Sequence, residues 1–438
     1  MEILLERAKG SALDVRASYL DRTNILALIS PHAQRLRSLD FAFDYWSNIQ
    51  KISEATSGPL PLLRTLKINA VDMTVSPSLP LFSGAVNLKN FSLSSEGMPF
   101  LNHFAFPNLT TFELSTAGEE FPISQLLNFL EALPTLQTVR MKIGAEALRR
   151  DVPSERVIVL PNVEIFSVTE GKPGYGIVPH ISCPSARRMV LVREQDVDDP
   201  MQEEIFPTWD TIGPQYMANT IDEVALGITT TGDELVSFSL SFSSPHSVAL
   251  ELGYGIIAED QDYGEPAFSS GWKYTQVFEH ALEAIRTYPL LNNIRRLRIW
   301  DNRRRSGPHG LISMAKEATG LFEFMGPLEE LVLDVANLRL FLSPFLNLPE
   351  FQVSMERGTF PLVKALIIAE GSKFSFDEEG VAAIVGFARS QHMRGVPLER
   401  VVFRVKYPPI GIAELLGPWV CAVDFSKETI SGNNRGVM

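Results

Sequence analysis

An acidic run between Glu194 and Glu204 contains side chains that could bind calcium. It comprises Glu194, Asp196, Asp198, Asp199, Glu203 and Glu204. If Asp196 is the first ligand of a calcium loop, Met201 falls where glycine is required, and Pro207 falls where a bidentate glutamate is required. The run therefore favours a solvated acidic loop over a metal site.

Other motifs that could support catalysis are incomplete. The glycine-rich stretch 171–176 lacks the Gly-Lys-Ser/Thr ending that places a lysine and a hydroxyl at phosphates, so it predicts a plain turn. His280 and Glu283 are three residues apart on a predicted helix, and a surface hydrogen bond explains this pair as well as catalysis does. No Gly-x-Ser-x-Gly or His-Glu-x-x-His sequence occurs. We therefore expect no enzymatic activity and no cofactor, and we assign no catalytic or metal-binding residue.

Arginine and tryptophan lie close together in sequence near position 300. The basic residues are Arg295, Arg296, Arg298, Arg303, Arg304 and Arg305, and Trp300 lies among them. Arginine and tryptophan are side chains that often dominate protein-binding hot spots. This cluster is the best candidate for a binding site, provided that the fold presents it on one surface.

A short repeat would position these residues. It consists of a proline, a spacer and an aliphatic–x–x–aliphatic–x–aliphatic run, as in Pro107-Asn108-Leu109 followed by Phe112 and Leu114. The anchor triplets are Leu36/Leu39/Phe41, Leu63/Leu66/Ile68, Leu88/Phe91/Leu93, Leu109/Phe112/Leu114, Leu136/Val139/Met141, Val163/Phe166/Val168, Ala186/Met189/Leu191, Ile221/Val224/Leu226, Ile294/Leu297/Ile299, Leu328/Leu331/Leu333, Val363/Leu366/Ile368 and Leu398/Val401/Phe403. A repeat of this size cannot bury its apolar edge alone, so its copies must stack. We therefore predict an α/β fold, a leucine-rich-repeat-like solenoid (horseshoe) with a continuous, mostly parallel sheet and helices or irregular segments on the convex side.

The spacing of the repeats defines the predicted organisation. We expect one irregular solenoid over residues 1–430, with extra strands and a long loop at about 230–272, and a disordered tail over 431–438. Apolar residues at helical spacing predict helices at Gly380–Met393 and around Leu126–Leu133. The remaining predicted strands are Leu13–Ala17, Phe238–Phe242, Val248–Leu252 and Val420–Phe425, and the predicted loop is Gly253–Trp272.

Two features at the strand ends determine how regular the repeat is. A proline stands two positions before the first anchor in several repeats, at a predicted strand entrance, where its missing N–H costs little. These prolines are Pro61, Pro107, Pro134, Pro161, Pro184 and Pro361. A regular leucine-rich repeat has asparagine three residues after the third anchor, and in this chain only Asn302 meets that requirement. We therefore expect an irregular solenoid, with weaker turn support than a strict asparagine ladder provides.

Alternation along a strand places the residues between the anchors on the concave surface. In four neighbouring repeats these residues form one predicted protein-binding patch, apolar in the middle and charged at its edges. The predicted site residues are Arg296, Arg298, Trp300, Val332, Ile367, Val402 and Arg404. Alternatively, Arg296 only satisfies Glu330 on the adjacent strand, and Trp300 does the same for Asp334. The apolar column in the middle of the patch favours a contact surface, because exposed apolar patches mark interaction sites.

Composition restricts the partners and the compartment. The formal net charge of −13 argues against nucleic acid as a partner, since phosphate binding needs clustered Lys and Arg. No apolar stretch reaches the length of a membrane span, and the N-terminal residues do not form a signal peptide. The two cysteines, Cys183 and Cys421, form neither a metal site nor a disulfide framework, which favours a reducing compartment. We expect a monomer in the cytoplasm or nucleus that binds a protein partner, with no nucleic acid and no membrane.

Three segments of the chain carry a family resemblance. They are Leu5-Glu6-Arg7-Ala8-Lys9-Gly10-Ser11-Ala12-Leu13-Asp14-Val15, Gly58-Pro59-Leu60-Pro61-Leu62-Leu63-Arg64-Thr65-Leu66, and Ala388-Arg389-Ser390-Gln391-His392 followed by Gly395-Val396-Pro397-Leu398-Glu399-Arg400-Val401. These segments resemble the repeat region of the large fungal (basidiomycete-type) F-box/leucine-rich-repeat-like families, and the resemblance covers most of the chain. In those families an F-box precedes the repeats and docks onto the adaptor of a cullin-based ubiquitin ligase, whereas this sequence shows no F-box-like segment.

The resemblance implies a protein–protein interaction scaffold that is the substrate-recognition region of an F-box-type ubiquitin-ligase subunit. It implies the ligase adaptor as a partner only if an F-box lies upstream. The first alternative is a stand-alone adaptor or decoy that binds the same partner with no ligase link. The remote alternative is an enzyme of unknown type.

Overall fold

The structure is a computed structural model that divides the chain into two compact units. It describes residues 10–18, 29–45, 54, 58–72, 81–95, 101–117, 121–144, 147–149, 151–171, 176–196, 223–231, 235–244, 247–257, 294–301, 328–335, 338, 342, 363–369, 378–405 and 407–426. The first unit comprises Met1–Gln195 with Thr211–Tyr216, and the second comprises Asp196–Asp210 with Met217–Met438. The α/β class is confirmed in both units, whereas a single solenoid over residues 1–430 stays a prediction.

The first unit is built on a parallel sheet. Its strands are β1 Leu13–Ser18, β2 Leu36–Tyr45, β3 Thr65–Asp72, β4 Asn90–Ser95, β5 Thr111–Thr116, β6 Phe121–Pro122, β7 Thr138–Ile143, β8 Leu148–Arg149, β9 Ile158–Val159, β10 Ile165–Glu170, β11 Ile181–Ser182 and β12 Arg188–Asp196. The strands of the large sheet follow one another in the order β1-β2-β3-β4-β5-β7-β10-β12, and every pair among them is parallel. Two short parallel pairs, β6 with β8 and β9 with β11, join the connecting segments of successive repeats. The predicted parallel pairing is therefore confirmed.

The second unit combines an antiparallel and a parallel part. Its strands are β13 Glu223–Thr231, β14 Leu235–Ser244, β15 Ser247–Ile257, β16 Arg296–Asp301, β17 Glu330–Asp334, β18 Ala365–Ala369, β19 Leu398–Arg404 and β20 Val420–Phe425. Strands β13, β14 and β15 pair antiparallel, and β13 then pairs in parallel with β16, from which the parallel series continues to β20. The extra strands are thus confirmed. The loop predicted from Gly253 begins too early, because β15 continues to Ile257 by pairing with Leu235 of β14.

The anchors of the repeats lie on one face of each sheet, which we call the inner face. Every described anchor side chain is at most 3% exposed, except Ala186, which is half-buried. Aromatic anchors stack from one repeat to the next, with the ring centroids of Phe91 and Phe112 at 6.0 Å. Burial of one large apolar side chain contributes about 1.5–3 kcal/mol to the free energy of folding. The stacked anchors therefore form a large part of the apolar core of the first unit.

A β-turn precedes each of these strands, and proline often occupies its second position. In the turn Phe106-Pro107-Asn108-Leu109, the Leu109 N–H donates to the Phe106 carbonyl at 3.1 Å. The equivalent bonds run from Leu63 to Leu60, Leu88 to Ala85, Leu136 to Leu133, Val163 to Leu160 and Ala186 to Cys183. Proline suits the second turn position because its fixed φ matches that position. The prolines Pro61, Pro107, Pro134, Pro161 and Pro184 therefore lie in the turn and not at the strand entrance that we predicted, whereas Pro361 lies outside the described residues.

At eight described strand entrances, one backbone carbonyl accepts two hydrogen bonds from the next repeat. The Lys89 carbonyl accepts the N–H groups of Thr110 and Thr111, both at 2.9 Å. The same arrangement occurs at the carbonyls of Arg64, Thr110, Gln137, Glu164, Arg295, Glu329 and Lys364. Since both N–H groups must meet one oxygen, adjacent strands are held in a single register.

Asparagine and threonine side chains connect successive turns. Asn108 Nδ2 donates to the Val86 carbonyl at 2.9 Å. The neighbouring bonds are Asn87 Nδ2 to the Pro61 carbonyl, Thr135 Oγ1 to the Pro107 carbonyl and Asn162 Nδ2 to the Pro134 carbonyl. These bonds support the turns at a position where the regular leucine-rich pattern has no asparagine. The asparagine lies in the third turn position before the strand, from which its amide reaches the previous turn.

Helices pack against the inner face and the connecting segments. Helix α1 (Ile123–Glu131) places its Phe129 ring 4.9 Å from the Phe112 ring, which confirms the predicted helix around Leu126–Leu133. The Asp151 carboxylate accepts hydrogen bonds from the Ser124 N–H at 2.9 Å and from the Ser124 hydroxyl. Burial alone would raise the pKa of Asp151, but these hydrogen bonds lower it below its usual value.

The second unit contains the other predicted helix. Helix α2 (Glu378–Met393) confirms it, with a start two residues earlier than Gly380, and the short helix α3 is Ile412–Leu416. Among the described residues, no helix combines the length and the apolarity that a membrane crossing requires.

Replacing Asn108 by alanine should lower the free energy of unfolding by about 0.5–1.5 kcal/mol, because the side chain loses one inter-turn hydrogen bond. Urea unfolding at neutral pH measures this change. Gln137→Ala, at an exposed position one residue before a strand, is the matched control and should stay within about 0.5 kcal/mol of the wild type. Equal midpoints for the two variants would contradict a structural role of the Asn108 amide.

Candidate protein-binding face

The predicted patch lies on the face of the second sheet opposite the anchors, which we call the outer face. Register places Arg298, Val332, Ile367 and Val402 side by side on β16, β17, β18 and β19. Arg404 pairs in register with Ala369 of β18. The structure therefore brings these six predicted residues together: Arg296, Arg298, Val332, Ile367, Val402 and Arg404. Trp300 lies in β16, but its side chain is outside the described residues.

The apolar middle of this patch is buried. Val332 is 5% exposed, Ile367 is 1% exposed and Val402 is 7% exposed, and they form one cluster with Ala369. Our prediction of an exposed apolar column is wrong for these residues. A sequence signal for this burial is the run Ala365–Ala369, in which no polar residue alternates and all five residues are buried. Such continuous apolar runs are typical of parallel strands that are buried on both faces.

Ion pairs satisfy the charged edge of the patch. Glu330 accepts hydrogen bonds from Arg296 Nε and from Arg400 Nη2, each at 2.6 Å. Arg298 Nη2 lies 3.3 Å from Asp334 Oδ2. The Arg296–Glu330 pairing that we considered as the alternative is therefore present, and it leaves less charge available for a partner. Binding at this patch stays a prediction.

The ion pair between Arg400 and Glu330 crosses an intervening strand, and Ala365 on that strand makes this possible. Register places Ala365 between Glu330 and Arg400, so the pair spans two strand intervals, or about 10 Å. A methyl group leaves space above the sheet, and the Arg400 side chain crosses it to reach the carboxylate. Glu330 thereby joins β16, β17 and β19 through side chains alone.

The outer face of the first sheet differs because it is open and polar. Its described side chains are half-buried or exposed on strands β3, β4, β5, β7 and β10: Thr65, Lys67, Asn69, Asn90, Ser92, Ser94, Thr111, Glu113, Ser115, Thr138, Arg140, Lys142, Ile165, Ser167 and Thr169. Hydroxyl and amide groups dominate this set, which supplies many donors and acceptors at low cost in side-chain entropy. Our site prediction omitted this face because it considered only arginine, tryptophan and apolar columns. The recurrence of Ser, Thr and Asn between the anchors is the sequence signal that identifies it.

A hollow of about 220 Å³ lies on this open face over β3, β4 and β5. Its outward lining residues are Thr65, Lys67, Asn90, Ser92, Thr111 and Glu113. The hollow arises because the short Ser92 side chain stands between Lys67 and Glu113 in register. Asn90 Nδ2 donates to Thr65 Oγ1 at 3.3 Å, and Arg140 Nη1 donates to Glu113 Oε1 at 2.8 Å.

The other candidate sites predicted from the sequence lie mostly outside the described residues. The acidic residues beyond Asp196 lie outside the described residues, and so do the side chains of Glu194 and Asp196, the pair His280 and Glu283, and residues 172–175 of the glycine-rich stretch. Within the described ranges, no group of three His, Cys, Asp or Glu residues is arranged to hold a metal ion.

Replacing Ala365 by leucine should break the coupling between Arg400 and Glu330, since the larger side chain occupies the path between them. A double-mutant cycle with Arg400→Met and Glu330→Gln measures the interaction free energy of the pair. In the wild type this energy should be about 0.5 kcal/mol, because the arginine is half exposed. In the Ala365→Leu background it should be about zero. Ala365→Gly is the matched control and should preserve the coupling. Unchanged coupling with leucine at this position would show that the ion pair takes another path.

Comparison with protein-family models gives no match to this chain, and comparison with curated proteins gives none either.

Proposed function

We propose that this chain is a protein–protein interaction scaffold with a leucine-rich-repeat-like solenoid architecture, and that the outer face of the first unit is its contact surface. The observation that supports this proposal is the contrast between the two faces of the first sheet. Anchor side chains on the inner face are at most 3% exposed apart from Ala186, whereas Arg140 on the outer face keeps a side chain that is 53% exposed. In the stacked repeats the apolar anchors are thus buried in the core, and polar residues lie on the outer face.

The dimensions of the face favour an extended protein segment over a small molecule. Eight strands at about 4.8 Å spacing extend over roughly 34 Å, enough for about ten residues of extended chain. Small-molecule sites are concave clefts that bury most of the ligand, whereas the described outer side chains of β3, β4, β5, β7 and β10 are half-buried or exposed along the whole row of strands. Serine, threonine and asparagine supply adaptable hydrogen bonds to such a segment.

The family resemblance supports a more specific proposal. We propose that the bound segment belongs to a protein destined for ubiquitination and that this chain is the substrate-recognition region of an F-box-type ligase subunit, working as a monomer in the cytoplasm or nucleus. The repeats supply the recognition surface in this proposal, and the ligase adaptor binds elsewhere.

The decisive variant blocks the hollow without touching the core. Ser92→Arg places a long side chain in the hollow floor, while Ser154→Arg makes the same substitution at an exposed position in a connecting segment. Both variants should unfold at the wild-type midpoint, because exposed or half-exposed positions rarely hold a fold together. Chemical cross-linking in cells that express each variant, followed by mass spectrometry, identifies the bound proteins.

We expect at least one partner that is lost with Ser92→Arg and retained with Ser154→Arg, and whose abundance rises when the gene is deleted. Absence of any partner that depends on Ser92 would contradict the scaffold proposal. A partner that depends on Ser92 but whose abundance is independent of the gene and of proteasome inhibition would favour the stand-alone adaptor.

A further inference from the structure

Two cations on one repeat of the open face have no counter-ion in the described part of the chain. They are Lys67 on β3 and Arg64 at the entrance of that strand, and both are exposed. Thr65, which lines the hollow, lies directly after Arg64 in the sequence. The positive charge of this repeat is therefore concentrated beside the hollow.

The acidic neighbours of Lys67 are already engaged by other basic side chains. Asp40 stands next to Lys67 in register, but its carboxylate pairs with Arg16 at 3.4 Å. On the opposite side, the neutral Ser92 comes first in register, and the more distant Glu113 pairs with Arg140 at 2.8 Å. Lys67 thus has Asp40 on one side and Ser92, followed by Glu113, on the other, and both carboxylates already form ion pairs with arginines.

Among the described side chains of the first sheet's outer face, basic residues outnumber acidic ones, although the chain as a whole is acidic. The strand-entry position and the three outward positions of the described repeats hold nine basic side chains: Arg16, Arg37, Arg64, Lys67, Lys89, Arg140, Lys142, Arg187 and Arg188. The same positions hold four acidic side chains: Asp14, Asp40, Glu113 and Glu164. This local excess of basic side chains, on a chain with a net charge of −13, is complementary to an acidic partner.

We infer that the hollow beside Lys67 binds a carboxylate side chain of an extended acidic segment in the partner protein, an inference that rests on the proposed scaffold function. The ammonium group of Lys67 neutralises the carboxylate. The hydroxyls of Thr65, Ser92 and Thr111 and the amide of Asn90 line the same hollow and can donate to its two oxygens. Arg64 adds a second cation for the next acidic residue of the segment.

An acidic peptide fits this face better than a nucleic acid does. Single-stranded nucleic acids need exposed aromatic side chains for base stacking together with a groove of basic residues. The outward residues of the hollow include no aromatic side chain, and the overall charge of −13 repels a long polyanion. A short acidic segment can be bound by the two nearby cations, Lys67 and Arg64, alone.

Fluorescence anisotropy with labelled decapeptides tests this inference directly. The probes are alternating Glu-Ser, alternating Lys-Ser and alternating Gly-Ser peptides, measured at low salt and again at high salt. We expect only the Glu-Ser peptide to bind, with an affinity that falls as salt rises. Lys67→Glu should weaken binding about tenfold or more, because one charge-assisted hydrogen bond becomes a repulsion.

Matched variants separate the hollow from the general charge of the face. Lys142→Glu makes the same charge change on the same face away from the hollow, and it should weaken binding less than about threefold because screening limits its reach. Lys67→Arg should restore most of the affinity, since it keeps the charge.

The results that would overturn the inference are distinct from those that would overturn the scaffold proposal. No binding of the Glu-Ser peptide, equal binding of the Lys-Ser peptide, or equal losses with Lys67→Glu and Lys142→Glu would each overturn it. An oligothymidine that binds more tightly than the Glu-Ser peptide and is lost with Lys67→Glu would reassign the hollow to nucleic acid. If Ser92→Arg still removes a cellular partner in any of these cases, the scaffold proposal stands and only the acidic-segment inference fails.

Discussion

The doubled hydrogen bond at eight of the described strand entrances is the constraint on which the other features depend. A single carbonyl, such as that of Lys89, must meet the N–H groups of two consecutive residues of the next repeat. This requirement excludes a slip by one residue, which would exchange every inner side chain with an outer one. The turn before the strand supports it, because its proline fixes the chain direction and its asparagine reaches back to the previous turn. Anchor stacking is therefore a consequence of local backbone geometry as much as of apolar attraction.

Once the register is set, the same alternation gives different surfaces in the two units. On β3, β4, β5 and β7 of the first unit the described outward positions hold serine, threonine, asparagine and charged residues, so this part of the face remains open to solvent. In the second unit they include Val332, Ile367 and Val402, which bury one another and are bordered by the Arg296–Glu330–Arg400 ion pairs. A continuous apolar strand such as Ala365–Ala369 stabilises the fold, whereas a mixed polar strand leaves its outer side chains accessible to solvent.

Several parts of this architecture could be predicted from the sequence because they depend on short-range periodicity. The anchors, the parallel pairing and the helix ending at Met393 follow from spacings that are visible within one repeat. The position of the asparagine ladder could not be predicted from the regular leucine-rich pattern, because here Asn108 and Asn162 precede the strand. The burial of Ile367 was missed for a related reason. Alternation tells which face a side chain occupies, and it does not tell whether that face is covered.

Residue-resolved hydrogen exchange on the intact protein tests the strand-entry register most directly. The amides of Thr111, Thr138 and Ile165 each donate to a shared carbonyl, so they should exchange slowly and to a similar extent, as parts of one cooperative unit. The amides of Asn108, Thr135 and Asn162, at the third turn position, donate no hydrogen bond among the described residues, so they provide the internal reference and should exchange faster. Strand-entry amides that exchange as fast as the turn amides would show that the shared carbonyls do not hold the repeats in register, and would contradict this account.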